Sequence, residues 1–411
     1  MRIIETVIIG AGQAGLAASR CLTDLGRDHV VLERGRIAER WRTETWDSLH
    51  LLTPNWMNNL PGEAYCGPDP DGFSSAAALT SHLDSYAAAF SAPVVEHTGV
   101  HLLRKQDVHF EVVVDRAVWQ ARHVVIATGW CDRAAVPTTA GGLAADVYQV
   151  VPGDYRNPGS LPDGGVLVVG ASAAGVQIAD ELRAAGREVT LAVGSHTRMP
   201  RSYRGRDICW WLDRTGLFDK TIDEVPDRRL AQFEPSAQLV GGAEPRPLDL
   251  TTLQAAGVHL TGRLVAADGL RVHLAADLPA TVAAADQRMQ ELFGTIDEHI
   301  DTNGLGDYVV EAEPTRHVAP QQETRDLDLH AAGIRSVVWA TGHRRTYPWL
   351  RLSVLDEYGE IRQRRGLTPV PGLYVLGQRF QHRRSSNFIG GVGRDAEYVA
   401  DHIAGRLAAR P

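Results

Sequence analysis

Residues 5–34 read ETVIIGAGQAGLAASRCLTDLGRDHVVLER, and this stretch decides the fold. A β-branched run is followed by Gly10, Gly12 and Gly15 in the pattern G-x-G-x-x-G. Small and apolar residues then recur at helical spacing as far as Gly26, and a second β-branched run ends at Glu33. Strand, tight turn, helix and strand in that order make the unit that binds a dinucleotide. Gly10 permits the turn, Gly12 lets a pyrophosphate approach the backbone, and Gly15 lets helix and strand pack closely. Gln13 and Ala14 open the helix, where unpaired N–H groups and the helix dipole favour phosphate oxygens. Glu33 stands 18 residues beyond Gly15, where a carboxylate accepts ribose hydroxyls, with Arg34 beside it.

The same architecture returns at residues 165–194, GVLVVGASAAGVQIADELRAAGREVTLAVG. Gly170, Ser172 and Gly175 form the turn, and Ala173 and Ala174 start the helix. Serine at the middle position is small enough for a phosphate to approach and can donate a hydrogen bond. The second strand runs out at Gly194 without an acid, and Ser195, Arg198 and Arg201 follow. A missing carboxylate with arginines nearby favours a 2′-phosphate, hence NADPH over NADH. Arg198 is the first candidate for that phosphate and Arg201 the second; a solvated face is the alternative for both.

Working outward, each unit is answered by a strand ending in Ala-Thr-Gly: HVVIATGW with Thr128 and Gly129, and SVVWATGH with Thr341 and Gly342. A third strand, GLYVLG, ends at Gly377, and a helical pattern runs from Val392 to Leu407. These repeats predict an α/β chain of two Rossmann-like, doubly wound domains in a glutathione-reductase-like arrangement. The first domain is expected to be discontinuous, residues 1–160 and 341–411, with Asn157–Gly165 as the crossing linker. The second, residues 161–340, would carry an inserted, partly helical stretch over about 201–335, with helices near Ile208–Asp213 and Thr281–Ile300.

Composition narrows the class. The chain has 411 residues, a formal charge of −8 and four cysteines, none in a C-x-x-C pair. A nucleic-acid partner, a disulfide framework and a zinc ribbon are all disfavoured, and a reducing cytoplasm fits. No apolar run is long enough to span a bilayer and no secretion signal precedes the first strand, while a homodimer stays open. The 16 histidines show no metal-binding spacing, so no metal is expected.

With these residues in view, the chain resembles the class B flavin monooxygenases, which include flavin-containing monooxygenases, N-hydroxylases and Baeyer–Villiger enzymes. The two turns and two ATG strands match over nearly the whole length. Residues 38–62, AERWRTETWDSLHLLTPNWMNNLPG, resemble the family's flavin-side stretch, and residues 372–400, GLYVLGQRFQHRRSSNFIGGVGRDAEYVA, its closing segment. The resemblance implies FAD in the larger domain and NADPH in the smaller. It also implies oxygen addition to the reduced flavin as a C4a-(hydro)peroxide, and oxygenation of a small organic substrate. Arg40, Trp41, Gln378 and Gly391 join the cofactor candidates on the same ground. Residues 143–158, LAADVYQVVPGDYRNP, keep the family's Tyr-Arg-Asn-Pro tail but no histidine before it, which favours N- or S-oxygenation over Baeyer–Villiger insertion.

Chemistry at a reduced flavin needs a group to hold negative charge, a hydrogen bond to activated oxygen, and exclusion of water. The helix beginning at Gly391 suits the first through its dipole, with Asn387 beside it. Leu52 stands where many family members have asparagine, so Thr53 or Asn55 would take the second role. The alternative is a flavin oxidoreductase that passes electrons to another acceptor without oxygenation. The missing C-x-x-C counts against its dithiol form.

Overall fold

Strand Arg2–Ile9 leads through the glycine turn into helix Gln13–Asp24 and returns as strand His29–Leu32, paired parallel with the first. The structure, a computed structural model, describes residues 2–242 and 246–405. The first sheet has seven strands, ordered Val94–Val95, His29–Leu32, Arg2–Ile9, Ala117–Ile126, His109–Val114 and Val100–Gln106, with Leu373–Val375 also on Ala117–Ile126. That long strand is shared. Its first half pairs antiparallel with His109–Val114, and its last three residues pair parallel with Leu373–Val375. Five parallel strands therefore bring their carboxyl ends to one edge, the edge at which open α/β sheets bind ligands.

The parallel strands read as unbroken apolar runs because both faces are covered. Ile8, Val31 and Val125 pack with Leu16, Leu22 and Val399 of the helices Gln13–Asp24 and Val392–Ile403. Their neighbours Val7, Val30 and Val124 turn to the opposite face, against Phe110, Trp119 and Tyr347. The period of two along each strand sorts the side chains between these cores.

The second sheet has five strands in the order His259–Thr261, Val189–Ala192, Gly165–Val169, Ile334–Trp339 and Tyr148–Val150, all parallel. This corrects the expected boundary at residue 160. Tyr148–Val150 pairs with Ser336–Val338 and extends the second sheet, so the chain has already crossed before Asn157–Gly165. Three residues of strand carry too little pattern to be seen in sequence. The outward and return crossings lie side by side, as Arg133–Ala134 pairs antiparallel with His343–Arg344. The stretch 201–335 is likewise not purely an insertion, because His259–Thr261 closes one edge of the sheet. It also holds a three-stranded antiparallel sheet, residues 264–268, 271–274 and 326–328, and the helices Ile208–Arg214 and Leu278–Thr302. Trp211 in the first of these is fully buried and donates from its indole to the Tyr203 carbonyl, which makes it core. The last helix is described over Val392–Ile403; Leu407 lies outside the described residues. Among the described residues no helix is long and apolar enough to cross a membrane.

Candidate functional site

The first glycine turn is built by close backbone approach. Gly10 has φ +107°, and a Cβ there would sit 2.7 Å from the Ala127 carbonyl oxygen. A Cβ on Gly15 would sit 1.8 Å from the Gly10 carbonyl oxygen. Neither position can carry a side chain without moving backbone. At Gly12 the added carbon would meet no heavy atom within 4 Å. The middle glycine therefore faces open space in front of the helix N-terminus, a cradle shaped for a pyrophosphate. Glu33 is buried and fixed from both sides, accepting from Ala11 N at 2.8 Å and Gly35 N at 2.9 Å. Gly377 abuts Ala14, whose Cβ would lie 2.8 Å from a Cβ at that glycine. The turn, Glu33, the end of the ATG strand at Thr128 and the closing strand thus converge.

Arg40 ties this edge to its surroundings through Glu44 at 3.0 Å and, at longer range, Asp132 and the Thr128 carbonyl. Gly129 has φ +76°, and its nearest would-be neighbour is that guanidinium. Arg34 is exposed and paired with Glu44. Gly391 begins helix Val392–Ile403 with its Cβ position only 1.9 Å from the Ser385 carbonyl oxygen, so this helix start also requires glycine. Gln378 is buried and joins Arg345 to the Tyr347 hydroxyl. The side chain of Asn387 is half-buried and makes no hydrogen bond among the described residues.

The second turn repeats the construction. Gly170 has φ +106° with its Cβ position 2.3 Å from the Ala340 carbonyl oxygen, and that of Gly175 lies 1.9 Å from the Gly170 carbonyl oxygen. Ser172 caps the helix Ala173–Ala184 without using its hydroxyl. Where Glu33 stands in the first unit, the second has buried Val193. This turn opens onto a cavity of about 700 Å³. Gly170–Ala174, Ser195, Thr341 and Gly342 form one wall, and Trp41, Trp46, Leu51 and Leu52 of the other half form the facing one. Trp46 packs into the second half's core. Arg156 donates to the Thr43 and Thr45 carbonyls, and Asn157 donates to Asp47 at 2.7 Å. The Tyr-Arg-Asn-Pro tail therefore straps the flavin-side stretch across the cavity.

Four expected roles do not survive the geometry. Arg198, 8% exposed, is spent on Asp249, Asp286 and the Arg316 carbonyl. Arg201, 3% exposed, is spent on Asp207, the Leu52 carbonyl and Cys209. Every nitrogen of both guanidiniums is engaged, which leaves neither for a 2′-phosphate. Asn55 is buried, donating to the Asp69 carbonyl and accepting from Ser74 N and Oγ, so it closes a loop and does not line the cavity. Thr53 donates to Asn58 at 2.9 Å and is likewise outside the lining.

The lining contains arginines that the sequence reading did not select: Arg263, Arg345 and Arg379. Arg263 follows strand His259–Thr261, the parallel neighbour of Val189–Ala192, so it stands beside Gly194 and Ser195. That strand is too short to read in sequence. Arg379 lies two positions past Gly377, within a segment already singled out. Burial pushes its pKa below the ordinary guanidinium value. Next to the cavity-lining Trp130, burial pushes the Cys131 thiol up to about 12, so it stays protonated. All four cysteines are free.

Comparison with known proteins agrees with this architecture. The family described as pyridine nucleotide-disulphide oxidoreductase matches residues 7–207. An uncharacterized CzcO-like oxidoreductase of Geobacillus kaustophilus is 32% identical over 404 residues, covering 98% of each chain. The rice indole-3-pyruvate monooxygenase YUCCA1 is 25% identical over 400 residues, 90% of this chain and 86% of that protein. Among solved structures, a flavin-containing monooxygenase from Stenotrophomonas maltophilia superposes with a TM-score of 0.69 at 19% identity, covering 99% of this chain and 100% of that one. The chain belongs to the CzcO-like oxidoreductase family and carries the two-domain fold of the class B flavin monooxygenases.

Proposed function

We propose that this protein binds FAD at the first turn and NADPH at the second, and oxygenates a small organic substrate with O2, at nitrogen or sulfur in preference to Baeyer–Villiger insertion. The observation that carries the reading is the cavity. It joins the second dinucleotide turn to the flavin-side stretch, and no pair of cysteines lies in its lining. A dithiol relay has no residues to use there. Bound FAD would supply the redox chemistry between NADPH and oxygen.

The chain's own residues hold, orient and shield. Gln13, Ala14 and Gly15 offer N–H groups to the FAD pyrophosphate, and Glu33 accepts the ribose hydroxyls. Ser172, Ala173 and Ala174 do the same for the NADPH pyrophosphate, with the free Ser172 hydroxyl as an added donor. Val193 in place of an acid removes repulsion from the 2′-phosphate, and Arg263 takes the role first expected of Arg198 and Arg201. The dipole of helix Val392–Ile403, opened by Gly391, would favour negative charge on a flavin ring held at its N-terminus. Asn387, the one of the three candidates whose side chain makes no hydrogen bond among the described residues, would supply the hydrogen bond to oxygen from just outside the cavity lining. Trp41, Trp46, Leu51 and Leu52 exclude water, which keeps reducing equivalents from leaving as hydrogen peroxide. A cytoplasmic location belongs to the same reading, since NADPH and four unpaired cysteines suit a reducing compartment.

The test follows NADPH oxidation, oxygen uptake, oxygenated product and hydrogen peroxide together, over panels of amines, sulfides and ketones. Product formed in step with NADPH supports the reading, as does a transient absorbance that NADP⁺ prolongs when reduced protein meets oxygen. Peroxide alone with every substrate, together with fast anaerobic turnover on dye acceptors, would replace it with the electron-transfer alternative.

A further inference from the structure

The charges around the cavity are equal in number but not all in contact pairs. Three carboxylates line it, and each already has an arginine: Glu44 holds Arg40 at 3.0 Å, Glu234 holds Arg384 at 2.9 Å, and Glu360 holds Arg345. Of the three lining arginines, Arg345 is spent on Glu360 and Gln378, and Arg263 has Asp277 at 3.5 Å. Arg379 differs. Among the described residues it has no ion pair and no hydrogen bond, and its one recorded partner is the ring of Trp130, 5.3 Å from the guanidinium carbon. Glu234 attracts it from beyond ion-pair distance, while Arg384 and Arg345 act on it as like charges. A half-buried cation with five donors and no acceptor is costly to keep. The cost falls sharply when an anion with two oxygens enters, because a guanidinium grips a carboxylate with two parallel bonds.

The dinucleotides have cradles of their own, at the two helix N-termini. Arg379 belongs to neither. It extends from the end of the closing strand of the first sheet, beside Trp130, whose indole stands edge-on to His343 at 6.1 Å. The lining also offers aromatic and aliphatic surface through Trp41, Trp46 and Leu52. We propose that Arg379 is the anchor for a carboxylate on the substrate, so that the cavity takes a small organic acid with an apolar or aromatic body packed on Trp130. The inference rests on the monooxygenase reading only for the word substrate; the anion site stands or falls on binding.

The experiment therefore measures binding to the oxidised FAD-loaded protein, with no turnover. (Phenylthio)acetate and its methyl ester are titrated by calorimetry into wild type, Arg379→Met and Arg379→Lys, and NADP⁺ is titrated into the same three proteins. A charge-assisted, partly desolvated pair should make the acid bind about tenfold to a hundredfold more tightly than the ester in wild type. Arg379→Met should abolish that preference, and Arg379→Lys should keep part of it. NADP⁺ affinity and flavin content should stay unchanged in both variants. Equal affinity for acid and ester, or no binding of the acid, would overturn the proposal. So would a loss of NADP⁺ affinity or of flavin in Arg379→Met, which would assign the anion to a cofactor. Failure to oxygenate any substrate would sink the monooxygenase reading and leave these affinities as they are.

Discussion

A methyl group would meet open space at Gly12 and a carbonyl oxygen 1.8 Å away at Gly15, so the two glycines should fail differently. Gly12→Ala should leave the thermal midpoint of the flavin-free protein unchanged while lowering FAD affinity at least about tenfold, since the lost space is ligand space. Gly15→Ala should destabilise the protein itself by about 3 kcal/mol or more, at the top of the range for overpacking, because the obstacle is backbone. Thermal denaturation with and without FAD separates the two. The arginines divide in the same way. Arg263→Ala should weaken NADPH binding about tenfold and NADH binding hardly at all, as expected for loss of one phosphate contact. Arg198→Met should cost stability, about 3 kcal/mol, because Asp249 and Asp286, both mostly buried, lose the cation they share. Its NADPH-to-NADH preference should stay as in wild type, and a collapse of that preference would return the phosphate to Arg198.

Among the elements, the flavin-side stretch depends for its position on a partner far away in sequence. It crosses to the second half, where Trp46 is packed into that half's core and Arg156 holds two carbonyls of residues 43–45. These are hydrogen bonds from a charged donor, each contributing about 1.5–3 kcal/mol. Arg156→Met should loosen the wall that carries Trp41 and Leu52 without touching the FAD cradle. The expected result is normal flavin content, a raised KM for NADPH and a larger share of electrons released as hydrogen peroxide. Peroxide yield equal to wild type would show that the strap does not govern sealing of the cavity.

For the whole molecule, acid should be the weak side. His382 is buried and pushed down to about 4 by desolvation and then by Arg365 and Arg383. Burial also lowers His29, His123, His196 and His343. The folded state keeps these rings neutral while the unfolded chain protonates them near the ordinary value of 6.5. Stability from this source is therefore constant above about pH 6.5 and falls as the pH drops from there toward 4. Thermal midpoints measured across that window should decline, and His382→Gln, which cannot charge, should flatten the decline. An unchanged slope would place the acid sensitivity in the other four histidines.

By itself, the sequence determined both dinucleotide turns and the strand–helix–strand units around them. These rest on local rules, a positive φ at Gly10 and Gly170 and a missing Cβ at Gly15 and Gly175, and a thirty-residue window contains all that such rules need. Tertiary structure decided which charges are free. Arg198 meets Asp249 and Asp286 across 51 and 88 residues of chain, and no spacing rule reaches that far. It also decided where the chain crosses, since Tyr148–Val150 is a strand only because Ser336–Val338 lies beside it. The cavity was invisible for the same reason, because its two walls come from different halves. An ion pair removes an arginine from the ligand's reach only once the fold has brought its carboxylate alongside. Arg379 is left over because the carboxylate facing its cavity, Glu234, is already held by Arg384.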